Sequence, residues 1–293
     1  MKLSRKEIRA AVKNALAEDI GSGDATTLAV VPNNLNAVAF MRAREPLVVA
    51  GIEFAETTFR QLSQNIKIER IVRDGENATA GKFLLKISGL ARAILSAERV
   101  ALNFVQRLSG VATLTAKFVE AIRLPHRSNA KAGGTRVQIL DTRKTTPGWR
   151  RFEKYAVACG GGKNHRMSLF DMILIKDNHL AALRNEKPNA IAAAIFRARK
   201  KYPKLKIEVE VDNLKQVQQA VDAGADFILL DNMDLKQLRA AVKMANGRAK
   251  TEASGGVNLK TVRAIAKTGV DFISVGALTH SARAVDIGLD FEN

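Results

Sequence analysis

KIEVEVDNLKQVQQAVDAGADFILLDN, residues 206–232, holds two apolar strands that each end on polar residues, with a helical segment between them. The same strand-then-polar pattern stands in VQILDTRK (137–144), MILIKDNH (172–179), AKTEASGG (249–256) and DFISVGAL (271–278), the later ones separated by helical segments. This is a repeating β-α series. Polar residues close nearly every strand, as a closed or nearly closed parallel sheet with its site at the carboxyl ends requires. A doubly wound open sheet would gather them at one crossover instead. The expectation is an α/β barrel of six strong strands, short of the full eight.

Upstream, Ile8, Val12, Leu16 and Ile20 recur at helical spacing and Gly21, Ser22 and Gly23 end the pattern, so the spacing predicts an amphipathic helix. AVAFMRA, LVVAG, IKIERIV and KFLLKISG between Asn36 and Leu90 read as short strands, with a helix near Glu53 to Leu62. Two long helices follow, interrupted at Ser109–Gly110. Placed at that break, the boundary gives a mixed α/β domain over residues 1–113 and a barrel over 114–293.

A chain of 293 residues with 46% hydrophobic composition can bury a substantial core and is expected to be a soluble globular protein. Its formal charge of +18 attracts polyanions of every class, from nucleic acid to a multiply charged small molecule. Aromatic content of 5%, with no helix-turn-helix, zinc-finger or RNA-binding sheet signature, argues against specific nucleic-acid binding. Cys159, the single cysteine, rules out an intramolecular disulfide framework and fits a reducing compartment. No apolar run approaches the roughly 20 residues needed to span a bilayer, and the first residues lack a secretory hydrophobic core. A cytoplasmic location without membrane association is the expectation.

The chemistry concentrates in DTRKTTPGWRRFEKYAVACGGGKNHR, residues 141–166, which sets Arg143, Lys144, Arg150, Arg151, His165 and Arg166 around Gly148 and the triplet Gly160 to Gly162. Guanidinium groups hold carboxylates or phosphates by paired N–H bonds and ammonium groups act as point charges, so the mixture suits a substrate with several anionic groups. The other strand ends supply Lys176, Asp177 and Asn178, then Glu210 and Asp212, then Asp231 and Asn232, then Glu252 and Ser254, and finally Gly276. Glu210 and Asp231 can share a hard cation such as Mg²⁺, hold sugar hydroxyls, or pair with Lys176 or Lys144 in a buried network. Ser254, Gly255 and Gly256 precede a helix expected near Leu259, so their N–H groups can face a phosphate; Gly276 offers a second such approach with His280 close behind. His165 reads as a hydrogen-bond donor to an anion rather than a metal ligand, since none of the four histidines forms a compact metal pair. Arg99 lies on a helix, where spacing alone does not bring it to a site.

Taken in order, DTRKTTPG, GGGKNHR, LIKDNH, EVEVDN, LLDN, EASGGV and SVGALTHS resemble the quinolinate phosphoribosyltransferases, a family of type II phosphoribosyltransferases. EDIGSGDATT and SAERVALNFVQRLSGVATLT extend the resemblance over nearly the whole chain. It implies an N-terminal α/β sandwich and a C-terminal open α/β barrel, with the C-terminal tail packing back on the first domain. It further implies a homodimer, open to higher assembly, with one subunit's N-terminal domain over the other's barrel mouth. The implied reaction joins quinolinate to phosphoribosyl pyrophosphate with Mg²⁺, giving nicotinate mononucleotide, pyrophosphate and carbon dioxide on the route to NAD.

By the same resemblance Arg99 from the partner subunit joins Arg143, His165, Arg166 and Lys176 at the quinolinate carboxylates, Thr142 is a further substrate-binding residue, and Lys144 and Lys176 hold pyrophosphate. Glu210 and Asp231 match the residues at the ribose hydroxyls and the metal, directly or through water. Ser254, Gly255, Gly256, Gly276 and His280 match the 5′-phosphate cradle. Lys144, Lys176, Glu210 and Asp231 are the expected catalytic groups. Two rival enzymes stay open: a Schiff-base aldolase using Lys144 or Lys176, and a related phosphoribosyltransferase of altered substrate choice.

Overall fold

Helix α1 (Arg5–Ile20) begins at a capping box: Glu7 N–H donates to Ser4 Oγ at 3.2 Å, and Ser4 N–H donates to the Glu7 carboxylate at 2.9 Å. These reciprocal bonds satisfy two donors that a helix start leaves open. Ile8, Val12 and Leu16 are its buried stripe, and Gly21 at φ 52° ends it. This computed structural model describes residues 1–123 and 137–292.

The chain continues through α2 (Ala25–Val30), β1 (Asn36–Ala43), β2 (Leu47–Val48), α3 (Ile52–Leu62), β3 (Lys67–Arg70), β4 (Asn77–Ala78), β5 (Phe83–Leu90) and α4 (Ala91–Ala121). Next come β6 (Gln138–Leu140), α5 (Arg150–Cys159), β7 (Ile173–Ile175), α6 (Asp177–Ala182), α7 (Ala190–Lys201), β8 (Ile207–Val211) and α8 (Leu214–Asp222). The remainder is β9 (Phe227–Asp231), α9 (Leu235–Ala245), β10 (Lys250–Ser254), α10 (Val262–Ala266), β11 (Phe272–Ser274), α11 (Ala277–His280) and β12 (Ile287–Phe291). Two compact units result. Met1–Ala116, Thr146–Gly161 and Leu278–Asn293 form the first, and Lys117–Thr145 with Gly162–Ala277 form the second. No described helix is long and apolar enough to cross a membrane.

The first unit carries an antiparallel sheet in the order β12-β1-β5-β3. Ala39, Met41 and Ala43 alternate inward along β1, as the two-residue period of a half-buried strand demands. They meet Ile52, Ala55 and Phe59 of α3, Ile94, Ala101 and Val105 of α4, and Ile287 of β12 in one core. The pieces expected as strands are present: AVAFMRA and KFLLKISG fall on β1 and β5, whereas of IKIERIV only Lys67–Arg70 and of LVVAG only Leu47 and Val48 pair, the last with β4.

Ser109 and Gly110 do not interrupt α4, which is continuous from Ala91 to Ala121. Their composition serves contact rather than termination. Ser109 Oγ accepts Ala50 N–H at 2.9 Å and lies 3.2 Å from Ala50 O, while Gly110 lies against the backbone of Arg283. The helical segment α5 was not read from sequence. Its Phe152 packs edge-on against Phe54 with ring centroids 5.1 Å apart, and Trp149 just before it stacks on Phe104 at 5.2 Å, which seats this insertion in the first unit.

The second unit is a six-stranded parallel sheet in the order β6-β11-β10-β9-β8-β7, an open α/β barrel whose edge strands β6 and β7 do not pair. Lys163 runs along the free edge of β6: its N–H donates to Ile139 O at 2.8 Å, and Asp141 N–H donates to its carbonyl at 3.2 Å. Asp231 stands beside Ser254 in register, and Glu210 beside Leu229 and Glu252 in turn. Residues aligned this way share a sheet face. Glu208, Glu210, Asp231, Glu252 and Ser254 therefore lie on one face, while Val209, Val211, Ile228 and Leu230 occupy the other and are buried.

Candidate active site

The segment after β6 turns sharply. Lys144 N–H donates to Thr142 Oγ1 at 3.1 Å and Thr145 N–H to Arg143 O at 3.0 Å, so the threonine hydroxyl shapes the turn that presents Arg143 and Lys144. Fully buried Asp141 anchors the facing strand: its two oxygens accept His165 N–H at 2.9 Å and Asn164 Nδ2 at 2.6 Å. Asp171 then receives the Met167 and Ser168 N–H groups at 2.6 and 2.9 Å, fixing the loop beyond Arg166.

Arg166 donates through one terminal nitrogen to Met172 O at 3.0 Å. Burial, followed by the neighbouring Arg143 guanidinium, pulls its pKa below the ordinary value. Arg143 Nε is buried without a hydrogen-bond partner among the described residues. Like charges that act on each other, one with an unanswered buried N–H, are relieved by a bound anion.

Lys176 follows β7 and stands with Nζ 3.3 Å from Glu210 Oε2. About half of its side chain is exposed, so this ion pair leaves the ammonium accessible to an anion. Asp231 Oδ2 accepts Asn232 Nδ2 at 2.8 Å, and Asn232 has the left-handed φ of 53°. Its N–H donates to Ser254 O at 3.0 Å. Gly255 sits directly against it: a Cβ there would lie 2.2 Å from Asn232 Oδ1, and φ is 91°. The ends of β9 and β10 are thereby locked together by a contact only glycine permits.

The helix expected near Leu259 begins at Val262 and has five residues. Asn258 delays it, its Oδ1 accepting the Lys260 and Thr261 N–H groups at 2.9 and 3.2 Å. With so short a helix, an anion at Ser254, Gly255 and Gly256 would be held by loop N–H groups rather than by a helix dipole. Gly276 follows β11, whose neighbour Val275 donates N–H to Leu140 O at 2.9 Å.

Thr142, Arg143, Lys144, His165, Arg166, Lys176, Glu210, Asp231, Ser254, Gly255, Gly256 and Gly276 thus all belong to the second unit, at or beyond strand carboxyl ends. Arg99 and His280 belong to the first. Arg99 is exposed on α4, 3.9 Å from Glu98, and His280 is exposed with Nδ1 2.6 Å from Ser281 Oγ. Arg150 and Arg151 also fall in the first unit, on α5, where Arg151 pairs with Glu7. The basic run therefore divides, and Arg151 is spoken for.

His165 Nε2 faces Glu208 Oε2 at 2.8 Å and its Nδ1 accepts Arg166 N–H at 2.7 Å. Glu208, fully buried, was not singled out from sequence. The alternation in IEVEV is the signal that finds it, since it places Glu208 on the same face as Glu210.

Family models match both parts of the chain: the quinolinate phosphoribosyl transferase N-terminal domain over residues 24–109 and its C-terminal domain over residues 111–290. A nicotinate-nucleotide pyrophosphorylase (carboxylating) of Mycobacterium leprae is 41% identical, with 96% of each chain covered. The chloroplastic enzyme of the same name from Arabidopsis thaliana is 40% identical over 98% of this chain and 83% of its own. The solved structure of the nicotinate-nucleotide pyrophosphorylase from Francisella tularensis superposes with a TM-score of 0.89 at 40% identity, covering 99% of this chain and 98% of that one. Fold, ordered motifs and full-length similarity agree: the chain belongs to the quinolinate phosphoribosyl transferase family.

Proposed function

We propose that this chain transfers a phosphoribosyl group from phosphoribosyl pyrophosphate to quinolinate with loss of carbon dioxide, forming nicotinate mononucleotide and pyrophosphate for NAD synthesis. Family membership supports the reaction class, and one observation carries the substrate. The Arg143 charge bears on Arg166, and Arg143 keeps a buried N–H unanswered among the described residues, which suits a small planar diacid rather than a carbonyl compound. An aldolase needs a lysine in apolar surroundings, whereas Lys176 is exposed and ion-paired.

The residues divide the work. Arg143, Arg166 and Lys176 grip the carboxylates, with Lys144 and Lys176 toward the pyrophosphate. Glu210 and Asp231, carboxylates on one sheet face of neighbouring strands, stabilise positive charge on the ribose carbon as pyrophosphate departs. Their hard oxygen donors also fit Mg²⁺, held directly or through water. That ion, when bound, neutralises charge developing on the leaving pyrophosphate. Once the pyridine nitrogen is bonded to the sugar, its positive charge stabilises the electron pair left on the adjacent ring carbon as carbon dioxide departs, that carbon then takes up a proton from water, and the protein's part is positioning. The N–H groups of Ser254, Gly255, Gly256 and Gly276 receive the 5′-phosphate.

A homodimer in which Arg99 reaches the site of the other subunit completes this reading, as does a cytoplasmic location, supported by the single free cysteine. The test is an assay with quinolinate, phosphoribosyl pyrophosphate and Mg²⁺ that follows pyrophosphate and carbon dioxide together, with nicotinate in parallel. Equal release of both products with quinolinate alone is expected. Turnover of nicotinate but not quinolinate would overturn the substrate assignment.

A further inference from the structure

Glu208, Glu252 and His165 meet inside the second unit from three separate segments, β8, β10 and the strand-like stretch after α5. Both glutamates are about 99% buried or more, and the His165 side chain is 8% exposed. His165 Nε2 lies 2.8 Å from Glu208 Oε2 and 3.8 Å from Glu252 Oε2. One oxygen on each glutamate has no hydrogen-bond donor among the described residues.

The tautomer of His165 follows from its other nitrogen. Nδ1 accepts the Arg166 N–H at 2.7 Å and so carries the lone pair, which leaves the proton on Nε2, aimed at Glu208. The ligand atoms of the three side chains lie within 4.8 Å of one another, so two buried carboxyl groups stand side by side and one of them keeps a proton. Burial, and next the nearby Glu208, push Glu252 well above the usual carboxylate range, which makes Glu252 the group that keeps it. A continuous relay results: protonated Glu252 beside Glu208, His165 Nε2–H to Glu208, and Arg166 N–H to His165 Nδ1.

A metal ion among these three side chains fits less well. Ligand atoms about 2.0–2.2 Å from one ion stand roughly 3 Å or more apart, whereas the 2.8 Å between Nε2 and Oε2 is a hydrogen-bond length. We propose that Glu208 and Glu252 are positioning residues for the diacid clamp, holding the His165 ring so that it fixes the backbone of Arg166 beside Arg143. Neither glutamate touches substrate. Their effect reaches the reaction through one backbone N–H, and the proposal rests on the quinolinate reading of that clamp.

The experiment uses the full chain in two arms. In the first, ¹⁵N-histidine NMR of the wild-type protein at pH 7.5, with His165→Gln identifying its signal among the four histidines, is expected to show the Nε2–H tautomer. An Nδ1–H tautomer or an imidazolium would overturn the relay, whatever the substrate is. In the second, Glu252→Gln keeps a neutral donor and Glu252→Met removes it at similar length. Glu252→Gln should leave the quinolinate KM within about threefold of wild type, while Glu252→Met raises it about tenfold and leaves the phosphoribosyl pyrophosphate KM unchanged. A folded Glu252→Met with unaltered quinolinate KM, or with both KM values raised alike, would defeat the positioning role. If Glu252→Met does not fold, the wild-type tautomer decides. A wild-type protein without quinolinate turnover would count against the functional reading alone, because the NMR arm needs no substrate.

Discussion

A Cβ added to Gly110 would stand 2.0 Å from the carbonyl oxygen of Arg283 and 3.0 Å from its carbonyl carbon. Alanine in a helix interior is ordinarily worth about 1 kcal/mol over glycine. Here the obstacle is backbone, which does not swing aside as a side chain would, so overpacking outweighs propensity. Gly110→Ala should lose about 2 kcal/mol in urea unfolding. A variant as stable as the parent would show that the approach of α4 to the Arg283 backbone is looser than described.

Arg143→Ala and Arg166→Ala should each raise the quinolinate KM roughly ten- to a hundredfold, since a charge-assisted hydrogen bond contributes about 1.5–3 kcal/mol. Lysine at either position should recover little, because an ammonium cannot make the paired contacts of a guanidinium. Steady-state kinetics with each substrate varied in turn checks this. Unchanged quinolinate KM in both alanine variants would separate these residues from the diacid.

Gly255→Ala forces a side chain into Asn232 at a φ of 91°. The joined ends of β9 and β10 must then shift, and with them Asp231 and the proposed phosphate cradle. The expected outcome is a phosphoribosyl pyrophosphate KM raised about tenfold or more, a loss of about 1–3 kcal/mol, with quinolinate affinity measured by direct binding nearly unaltered. Equal loss of both would place the site elsewhere.

Glu7 tests the electrostatics of α1. The Ser4 backbone and hydroxyl groups, then Arg151, lower its pKa from 4.5 to about 2. A depressed carboxylate contributes stability that is complete above the unfolded pKa and is lost as pH falls through the folded value, here between about 4.5 and 2. Its side chain is nearly one-third exposed, so solvent screening holds the contribution below about 1 kcal/mol. Glu7→Gln should therefore flatten the acid limb of a stability-against-pH curve slightly while leaving the value at pH 7 lower. An identical acid limb would refute the pairing.

The barrel was legible because its strands announce themselves: apolar runs ending on LIKDN, EVDN and LLDN reveal both the sheet and the edge that bears its chemistry. Local signals misled where distant backbone supplied the reason for a residue. Gly110 reads as a breaker until Arg283 is seen against it, and Asn258 delays α10 by a side-chain bond that spacing does not report. RRFEKYAVAC was read for its cations alone, because its anchors, Phe54 and Phe104, lie far away in sequence. Glu208 was passed over for a different reason. A buried carboxyl group is costly alone, and its partners His165 and Glu252 come from other segments.

The pairing of β12 with β1, in which Ala39 lies opposite Phe291, has a consequence for how the chain is made. The sheet begun by residues 36–43 gains its outer neighbour only after residues 287–291 have left the ribosome, once every barrel strand has emerged. Until then β1 presents an unsatisfied row of amide and carbonyl groups, the kind of edge that recruits foreign strands. Synthesis of this polypeptide thus carries an interval of vulnerability that closes when residues 287–291 join the sheet.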